Sequence, residues 1–457
     1  MNIKEKKVLV VGNARSGIGA AKLAHHQGAF VCVYDGKPYE NWNEDMQKKI
    51  DAMKAQGIQY ALGEEPEVER FDLLILSPGV PPEIDLVQKA KKSGVTITGE
   101  FEFASWYCKA PIVAITGTNG KTTTTTLVGE MMRSFNPQTY VVGNIGNAFS
   151  ETVQMIPADG IVVAEVSSFQ LETANTFHPK VSALLNITPD HLNRHGTMEN
   201  YCKAKYQIFA NQYPEDFTVL NSKDAYYKEA QSYVKGQLIE FSSNTVPKCG
   251  AYLEDGVLYE NISGETHKIC TIDELYIKGT HNVENALAAI AIGIAFGVPR
   301  TVIREVLVQF KGVEHRTEFV VTKKGVDFFN DSKATNTDAA IAGLIGLGSL
   351  NKPIRLLAGG MDKKTSFTDW VKLFEGRVAK VYIIGETKEQ IAMECKAVGY
   401  DTYALFNTLE EAVLAAYQES QPGECVLLSP ACASWDMFES YEQRGRLFKD
   451  LVKQLEG

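Results

Sequence analysis

The stretch Pro111-Ile112-Val113-Ala114-Ile115-Thr116-Gly117-Thr118-Asn119-Gly120-Lys121-Thr122 joins an apolar run to a Gly-rich turn that ends in Lys-Thr. A buried strand followed by such a turn and a helix is how proteins hold the phosphates of a nucleoside triphosphate. The glycines let backbone N–H groups close around phosphate oxygens, the lysine neutralises the β/γ charge, and the threonine hydroxyl reaches Mg²⁺. The spacing departs from the usual G-x-x-x-x-G-K-[ST], because Gly117 lies only three residues before Gly120. The stretch nevertheless predicts an ATP site.

The composition predicts a globular chain of several domains. At 457 residues the chain is too long to fold around a single hydrophobic core, and its length favours about three domains. A hydrophobic content of 44% and a charged content of 22% are typical of globular proteins. Because the sequence has no apolar run of about 18 residues, we predict no membrane contact. The first residues fit a β-strand better than a signal peptide.

Charge and cysteine usage narrow the class of protein. The eight cysteines are scattered, without a C-x-x-C pair or a Cys/His cluster at zinc spacing. Reduced, mostly buried thiols in a cytoplasmic protein are the simplest account of that pattern. The net charge of −10 argues against nucleic-acid binding. It also requires that a few local cations hold any anionic substrate, because the overall field repels it.

Strands and helices alternate along three stretches of the chain, which predicts an α/β fold with doubly wound parallel sheets and ligands at the carboxyl ends of strands. The second stretch also holds a long helix from residue 199 and small antiparallel strands between 242 and 271. We therefore predict domains at 1–99, 100–312 and 313–457. The predicted strands are 8–11, 30–34, 73–76, 96–98, 111–115, 160–164, 182–186, 326–329, 354–357, 381–384 and 425–428, and the predicted helices include 16–27, 83–93 and 282–296.

A second Gly-rich loop, residues 12–19, follows the first predicted strand, and Asp35 ends the next one. This layout suggests a dinucleotide, with its phosphates on a helix N-terminus and an acid on the ribose. The second glycine of that fingerprint is Ala14, however, and the spacing is wrong. Some other nucleotide phosphate at the same helix terminus is the favoured interpretation.

Acidic and histidine side chains follow two further strands. Glu165 ends a buried strand, where an α/β sheet places a metal ligand beside phosphates, and we predict that it binds Mg²⁺. Asp190 and His191 repeat the layout, and His191 is either a second metal ligand or a core histidine. Lys205, on a predicted helix, would ordinarily be a solvated lysine.

Polar clusters mark the rest of the chain. Asn282 precedes an Ala-rich helix and either caps that helix or, with Asn285, reads the edge of an adenine. The clusters 314–318, 330–336 and 359–363 place several cations in an acidic chain, which suits an anionic substrate.

Taken together, these motifs resemble the Mur ligases of peptidoglycan synthesis. The resemblance extends over nearly the whole chain. The motifs 331–336 (Asp-Ser-Lys-Ala-Thr-Asn), 428–434 (Leu-Ser-Pro-Ala-Cys-Ala-Ser) and 442–445 (Glu-Gln-Arg-Gly) are similar to those of the D-glutamate-adding branch. The Asp-Asn-Pro-Arg signature of branches that add diaminopimelate or lysine is not found. Folylpolyglutamate ligases share the central domain but begin with it, whereas here about a hundred residues precede it.

The resemblance implies a Rossmann-like N-terminal domain for the UDP substrate, a central P-loop ATPase-like domain with a parallel sheet, and a Rossmann-like C-terminal domain for D-glutamate. It implies an ATP-dependent ligase that adds D-glutamate to UDP-N-acetylmuramoyl-L-alanine through an acyl phosphate, releasing ADP and phosphate in the cytoplasm. It further implies a monomer that uses two Mg²⁺ ions, with Lys205 carbamylated.

Residue roles are carried over from the same resemblance. Lys121, His191 and Lys205 are the implied catalytic residues. The implied ATP contacts are Gly117, Thr118, Asn119, Gly120, Lys121, Thr122, Thr123, Asn282, Arg316 and Asp331. The implied Mg²⁺ ligands are Thr122, Asn144, Glu165, His191 and carbamylated Lys205. The implied UDP-substrate contacts are Arg15, Ser16, Gly36, Lys37, Ser77, Gly79 and Asn144, and the implied D-glutamate contacts are Lys333, Thr335, Lys363, Ser434 and Tyr441.

Gly36 and Lys37 stand where the family pattern has a hydroxyl and an arginine, so the UDP contacts match loosely.

Two alternative functions stay open at the level of sequence. A Mur-type ligase for another amino acid has the same motifs in its central domain. A non-catalytic nucleotide-binding module, with the Lys121 loop as a switch, differs from an enzyme in showing no turnover that depends on an acceptor.

Overall fold

The computed structural model describes residues 2–262, 264–277, 279–348, 352–361 and 366–456. Their strands form three sheets, which confirms the predicted α/β fold. Residues Met1–Leu275 with Val283–Gln309 form one compact unit, and Tyr276–Asn282 with Phe310–Gly457 form a second. None of the described helices combines the length and the apolar character needed to cross a membrane. All eight cysteines are free thiols and six of them are buried, as the sequence predicts.

The first sheet has five parallel strands in the order β3-β2-β1-β4-β5. The chain leaves β1 toward β2 on one side and returns to β4 on the other, so the strand order reverses between β1 and β4. Ligands of such sheets bind at the carboxyl ends of strands at this reversal, where Gly12 and Ser77 begin their loops. The elements are β1 (Lys7–Val11), α1 (Arg15–His26), β2 (Phe30–Asp35), α2 (Glu44–Ala55), β3 (Gln59–Leu62), β4 (Leu73–Leu76), α3 (Asp85–Lys92) and β5 (Thr96–Gly99).

The second sheet has nine strands in the order β14-β13-β12-β11-β10-β9-β6-β8-β7. Its strands are β6 (Ile112–Thr116), β7 (Thr139–Gly143), β8 (Ile161–Glu165), β9 (Val181–Leu184), β10 (Phe217–Asn221), β11 (Gln237–Ser242), β12 (Gly250–Glu254), β13 (Val257–Glu260) and β14 (His267–Thr271). Its helices are α4 (Glu100–Ser105), α5 (Lys121–Phe135), α6 (Phe149–Thr152), α7 (Ser168–Leu171), α8 (Leu192–His195), α9 (Met198–Tyr206), α10 (Tyr227–Ser232), α11 (Thr280–Phe296) and α12 (Arg300–Gln309).

The small antiparallel strands predicted between 242 and 271 are confirmed as β12 to β14, and they extend the central sheet at its edge because β12 pairs in parallel with β11. Another expectation for this region needs correction. The helix expected from residue 199 is short, because α9 ends at Tyr206 and a single 3-10 turn follows it.

The strand β6 is buried along its whole length, as expected for a parallel strand covered on both faces.

The third sheet has six strands in the order β15-β16-β20-β17-β18-β19, and only β15 runs antiparallel to its neighbour. Its last strand in the chain, β20, therefore lies between β16 and β17. The elements are β15 (Glu318–Lys323), β16 (Val326–Asn330), α13 (Thr337–Gly348), β17 (Ile354–Gly359), α14 (Thr368–Val371), β18 (Val378–Ile384), α15 (Lys388–Ala397), β19 (Tyr403–Leu405), α16 (Leu409–Glu419), β20 (Cys425–Leu428) and α17 (Tyr441–Gln454).

Candidate functional site

The Gly-rich turn after β6 is held in place by the end of β9. The backbone N–H of Thr118 donates to the carbonyl of Asn186 at 2.9 Å, and that of Asn119 donates to the Asn186 side chain at 2.8 Å. Gly120 is left-handed with φ of 81°, and a Cβ there would overlap the side-chain oxygen of Asn285. Only glycine fits this position, and α5 then begins at Lys121 with its N-terminus facing the turn.

The two lysines nearest the turn come from different helices and share one acceptor. Lys121 Nζ donates to the carbonyl oxygens of Gly117 and Thr118, both at 2.8 Å. Lys205 Nζ, from α9, donates to the same Gly117 oxygen at 2.8 Å. Both amines therefore contact the turn, and Lys121 supplies the positive charge that suits a polyphosphate.

Lys205 is a buried residue and not a solvated one. Only 1% of it is exposed, and its Nζ lies 4.7 Å from the centre of the Tyr201 ring. Burial, and next the charge of Lys121, hold the pKa of Lys205 well below its usual value. A lowered pKa favours the neutral amine, which is the form of lysine that can act as a nucleophile.

Glu165 and Asn144 meet at the carboxyl ends of β8 and β7, beside the turn. The Asn144 Nδ2 donates to Glu165 Oε1 at 2.7 Å, and in register Glu165 pairs with Ile115 of β6 and with Gly143 of β7. Glu165 is 1% exposed and its Oε2 has no hydrogen-bond partner. A buried carboxylate oxygen without a partner is costly.

These oxygens fit Mg²⁺, which takes one or two carboxylates and completes its shell with water and phosphate oxygens. The Glu165 oxygen is available, and Thr122 lies buried in the first turn of α5. Within the described ranges no group of three or more His, Cys, Asp or Glu side chains forms a metal cluster. The Glu165 carboxylate and the Thr122 hydroxyl are oxygen donors, which is the donor type that the hard cation Mg²⁺ prefers.

His191 stands at the start of α8 with a left-handed backbone, φ of 53°. Its Nε2 lies 3.4 Å from Asp190 Oδ2 and its side chain is 49% exposed. The ring packs against Phe169 of α7, with centroids 4.8 Å apart. Because the ring is half-exposed, His191 is not a core histidine, which was one of the two interpretations of its sequence motif.

The predicted UDP contacts of the first sheet lie around the strand reversal. Ser77 Oγ donates to the Gly12 carbonyl at 3.4 Å. Asp35 accepts the backbone N–H groups of Asn13 at 2.9 Å and Lys37 at 3.0 Å, so it organises the loops after β1 and β2. The Lys37 Nζ lies 4.4 Å from the Trp42 ring.

Arg15, another predicted UDP contact, is engaged by the central sheet. Its guanidinium donates to Asn147 Oδ1 at 2.8 Å and to Glu151 Oε2 at 3.2 Å, beside the loop that carries Asn144. Ser16 opens α1 next to it. Both Gly36 and Gly79 have room for a larger side chain. A Cβ at Gly36 would meet only the Tyr34 hydroxyl at 3.9 Å, and a Cβ at Gly79 would meet nothing within 4 Å.

In the second compact unit, Asp331 follows β16 and is buried. Its carboxylate accepts the Ser429 hydroxyl at 2.8 Å and the Thr317 N–H at 3.1 Å. Burial raises its pKa to about 6, although the nearby exposed Arg316 opposes that rise. Asp331 is therefore a fixed group that titrates close to neutral pH.

The predicted D-glutamate contacts lie on two loops of this unit. The Thr335 N–H donates to the Lys333 carbonyl at 2.9 Å, and Lys333 Nζ lies 5.9 Å from the Tyr441 ring. Ser434 is buried and its carbonyl accepts the N–H groups of Met437 at 3.1 Å and Phe438 at 2.8 Å. Lys363 lies outside the described residues.

Arg444 was not predicted as a site residue, yet it ties these two loops together. It is 1% exposed, and its guanidinium donates to the Ser332 hydroxyl at 3.0 Å and to the carbonyls of Ser332 at 2.9 Å and Cys432 at 3.1 Å. Burial lowers its pKa to about 10. The signal in the sequence is its helical spacing with Phe448 and Val452, which puts Arg444 on the buried face of α17.

Adenine contact was predicted for Asn282. The helix α11 begins at Thr280, so Asn282 lies in its first turn and is not the residue that caps it. Asn285, one turn further on, is buried and accepts the Thr124 hydroxyl of α5 at 3.2 Å. This contact fixes Asn285 against the helix that begins at the nucleotide turn.

Two family models match the chain: the Mur ligase middle domain over residues 115–293 and the Mur ligase glutamate ligase domain over residues 315–432. The chain is 46% identical over 458 aligned positions to the UDP-N-acetylmuramoylalanine–D-glutamate ligase of Caldicellulosiruptor bescii, covering 100% of this chain and 99% of the relative. It is 45% identical to the ligase of the same name from Thermoanaerobacter sp., with 100% of both chains covered.

Solved structures share the fold at lower identity. The UDP-N-acetylmuramate-alanine ligase of Thermotoga maritima superposes with a TM-score of 0.57 and 19% identity, covering 99% of this chain and 100% of that one. A pseudomurein peptide ligase of Methanothermus fervidus gives a TM-score of 0.56 and 17% identity at the same coverage. These likenesses bear on the fold alone.

Proposed function

The chain belongs to the Mur ligase family, and from that premise we propose that it joins D-glutamate to UDP-N-acetylmuramoyl-L-alanine at the expense of ATP. The observation that carries the substrate assignment is identity of 45% or more, over the full length, to ligases of that name. It is an ATP-dependent amide-bond ligase of peptidoglycan precursor synthesis. The first sheet, the central sheet and the third sheet would then bind the UDP substrate, ATP and D-glutamate, with boundaries at 1–99, 100–312 and 313–457.

The reaction needs two bond changes. The acceptor carboxylate takes the γ-phosphoryl group of ATP, forming an acyl phosphate and releasing ADP. The amine of D-glutamate then attacks the acyl carbon, phosphate leaves from the tetrahedral intermediate, and the amine loses a proton. Neither step requires a covalent bond to the protein, so the side chains contribute position and charge.

The nucleotide turn supplies most of that charge. Lys121 lies over the turn on the Gly117 and Thr118 carbonyls, where it can neutralise the β- and γ-phosphates. The N-terminus of α5 and the N–H groups of the turn provide further donors. We propose that the nucleotide also contacts Thr123, Asn282, Arg316 and Asp331.

The Mg²⁺ ligands would be Thr122, Asn144 and Glu165 for one ion and His191 with a modified Lys205 for the other. Bound Mg²⁺ neutralises charge that develops on the transferred phosphoryl group. What favours the first set is the unpartnered oxygen of buried Glu165. What favours the modification is the lowered pKa of buried Lys205: its neutral amine can attack CO₂, forming an N–C bond and releasing a proton, and the product carbamate is an oxygen ligand.

The remaining assignments follow the same proposal. Arg15, Ser16, Gly36, Lys37, Ser77 and Gly79 are proposed contacts of the UDP substrate, and Lys333, Thr335, Lys363, Ser434 and Tyr441 of D-glutamate. ATP and nucleotide sugars are found in the cytoplasm, and we propose that the reaction takes place there.

One experiment tests the substrate pair. Phosphate release and product mass are measured with ATP, UDP-N-acetylmuramoyl-L-alanine and each of a panel of amino acids. We expect release only when the acceptor and D-glutamate are both present, and a product heavier by one glutamate residue. Incorporation of another amino acid would redirect the substrate assignment, and phosphate release that ignores the acceptor would indicate a nucleotide-binding module instead.

A further inference from the structure

The Arg194 side chain connects the loop after β4 with the segment that carries His191. Its NH1 donates to the Pro78 carbonyl at 3.2 Å. Its Nε and NH2 donate to one oxygen of Glu172, at 3.2 and 2.7 Å. Pro78 lies between Ser77 and Gly79, and Arg194 is the third residue after His191. One guanidinium therefore joins the loop proposed to bind the acceptor to Glu172 at the end of α7, and the helix that carries it, α8, begins beside the proposed catalytic histidine.

The same guanidinium stacks on an aromatic ring that also touches His191. Its central carbon lies 4.2 Å from the centre of the Phe169 ring. That ring is 4.8 Å from the His191 ring and 5.6 Å from the His195 ring. A planar, permanently charged guanidinium can hold a carboxylate and an aromatic face at once, which a lysine cannot. The position of His191 is thereby tied to that of Arg194.

Glu172 is held from two sides. Its second oxygen lies 3.1 Å from His195 Nδ1, and His195 Nε2 lies 3.0 Å from the Ser168 hydroxyl. Because a carboxylate only accepts, the His195 Nδ1–H is the donor to Glu172. Burial, and next the charge of Arg194, lower the pKa of His195. With side chains only 14% and 18% exposed, Arg194 and Glu172 form a shielded pair whose geometry is fixed.

The loop and the helices line a small crevice, and Pro78, Phe169, Gln170 and Arg194 are among its lining residues. The Pro78 loop is thus linked to Arg194 by a hydrogen bond, and Arg194 is linked to His191 by the Phe169 ring, which contacts both.

We propose that Arg194 is a positioning residue that, with Glu172, sets the place of the acceptor loop relative to His191. This role rests on the proposed function, because it assumes that Ser77 and Gly79 contact the acceptor. Binding energy from the remote nucleotide part of the acceptor is then used to place its carboxylate for phosphoryl transfer.

The test compares steady-state constants of the full-length enzyme and four variants: Arg194→Met, Arg194→Lys, Glu172→Gln and the double variant Arg194→Met/Glu172→Gln. For Arg194→Met, we expect the acceptor KM to rise about tenfold and kcat to fall, while the KM values of ATP and D-glutamate stay within about twofold. For Arg194→Lys, which keeps the charge beside Glu172 but loses the forked contact, we expect a smaller rise in the same constant alone. The double variant with Glu172→Gln should lose little more than the worse single variant, because the two residues act as one unit.

The matched control is Arg304→Met, which breaks an exposed Arg–Glu pair with Glu274 elsewhere in the same compact unit. It should leave all three KM values unchanged. A purely structural role for Arg194 predicts a lower melting temperature and a smaller active fraction with unchanged KM values, and this result would overturn the inference. If Arg194→Met does not fold, Arg194→Lys decides by the same criterion. Wild-type protein without acceptor-dependent turnover would overturn the proposed function and this role together, whereas an active wild type with an unaffected Arg194→Lys overturns this role alone.

Discussion

At the scale of single residues, the Gly117 carbonyl accepts from two lysines for which we propose different roles. Lys121 lies at the turn itself, and Lys205 reaches the same oxygen from α9 with its pKa lowered by burial. The Lys121 ammonium would contact phosphate, whereas Lys205 would be modified as a neutral amine. The sequence could predict the first role from spacing, but the burial of Lys205 depends on the packing of α9, which no local pattern contains.

For Lys121→Ala we expect kcat to fall at least about a hundredfold, because a charge aimed at the transferred phosphoryl group is worth a few kcal/mol in the transition state. Binding of the UDP substrate, measured by calorimetry, should survive. The control is Lys180→Ala, an exposed lysine of the same unit, which should keep full activity. Near-normal turnover in Lys121→Ala would contradict the assignment of the turn to ATP.

For Lys205→Ala we expect loss of most activity and partial recovery on adding acetate or formate, which can occupy the vacated oxygen position. Removing bicarbonate should slow the wild type. Lys203→Ala, on the same helix but exposed and paired with Glu199, should show neither effect. Absence of rescue, together with no carbamate signal from protein equilibrated with ¹³CO₂, would mean that Lys205 acts as an amine.

Asp331 gives a pH dependence of stability. Its pKa is about 6 in the folded protein and about 3.9 in an unfolded chain. Between these values the folded state holds more protons, so its contribution to stability is present below about pH 4 and is lost as pH rises through about 6, by about 2–3 kcal/mol. Asp331→Asn should therefore melt higher than wild type at pH 8, with a smaller gain at pH 4.5.

The control for that measurement is Asp369→Asn, whose carboxylate is 87% exposed. Its melting temperature should follow the wild type at every pH. A constant difference between Asp331→Asn and wild type from pH 4.5 to pH 8 would show that Asp331 does not titrate in this range.

At the scale of elements, α17 serves the third sheet through two adjacent residues. Arg444 binds the loops that hold Ser332 and Cys432, and a Cβ at Gly445 would overlap the ring of His315. That ring is buried, and its Nδ1 meets the Asn330 amide at 2.9 Å. The helix thus fixes the start of the loop that follows β16, at Asn330 and Ser332.

Gly445→Ala should destabilise the protein by about 1–3 kcal/mol through overpacking. We expect an earlier transition in urea and a raised D-glutamate KM, because the loops with Lys333 and Ser434 shift. Arg446→Ala, exposed on the next position of the helix, is the control and should leave both quantities unchanged. An unaltered urea midpoint for Gly445→Ala would show that the His315 ring can move at little cost.

Local patterns located ten of the eleven strands predicted with bounds to within two residues, but they missed β7, β10, β11, β15 and β19 as well as β3. The fully apolar strands β4 and β20 were predicted at their observed bounds, since a run of buried residues between turn signals has few other solutions. The sequence pattern did not single out β3, which has no fully buried residue. Arg444 was not predicted as a site residue because an arginine among polar residues is usually exposed. Its burial depends on contacts with loops that are distant in sequence.

At the scale of the whole molecule, the thiols report on packing. Six of the eight cysteines are buried, and Cys108 and Cys249 are half-buried with pKa values raised by burial. In the native protein we expect a disulfide-exchange reagent to modify at most these two on a time scale of minutes, and all eight after unfolding. Rapid modification of more than two thiols under native conditions would show that one of the cores opens readily.

The position of β20 also has a consequence for biosynthesis. The five strands of the first sheet are complete once residue 99 has been made, so that sheet can form while the rest of the chain is still on the ribosome. In the third sheet, β20 inserts between β16 and β17. Because β16 ends at residue 330, β17 at residue 359 and β20 begins at residue 425, β16 lacks this neighbour for nearly a hundred residues of translation and β17 for about 65. An unfinished chain stalled before residue 425 would expose two unpaired apolar strand edges, and a chaperone that shields such edges would act at this point of synthesis.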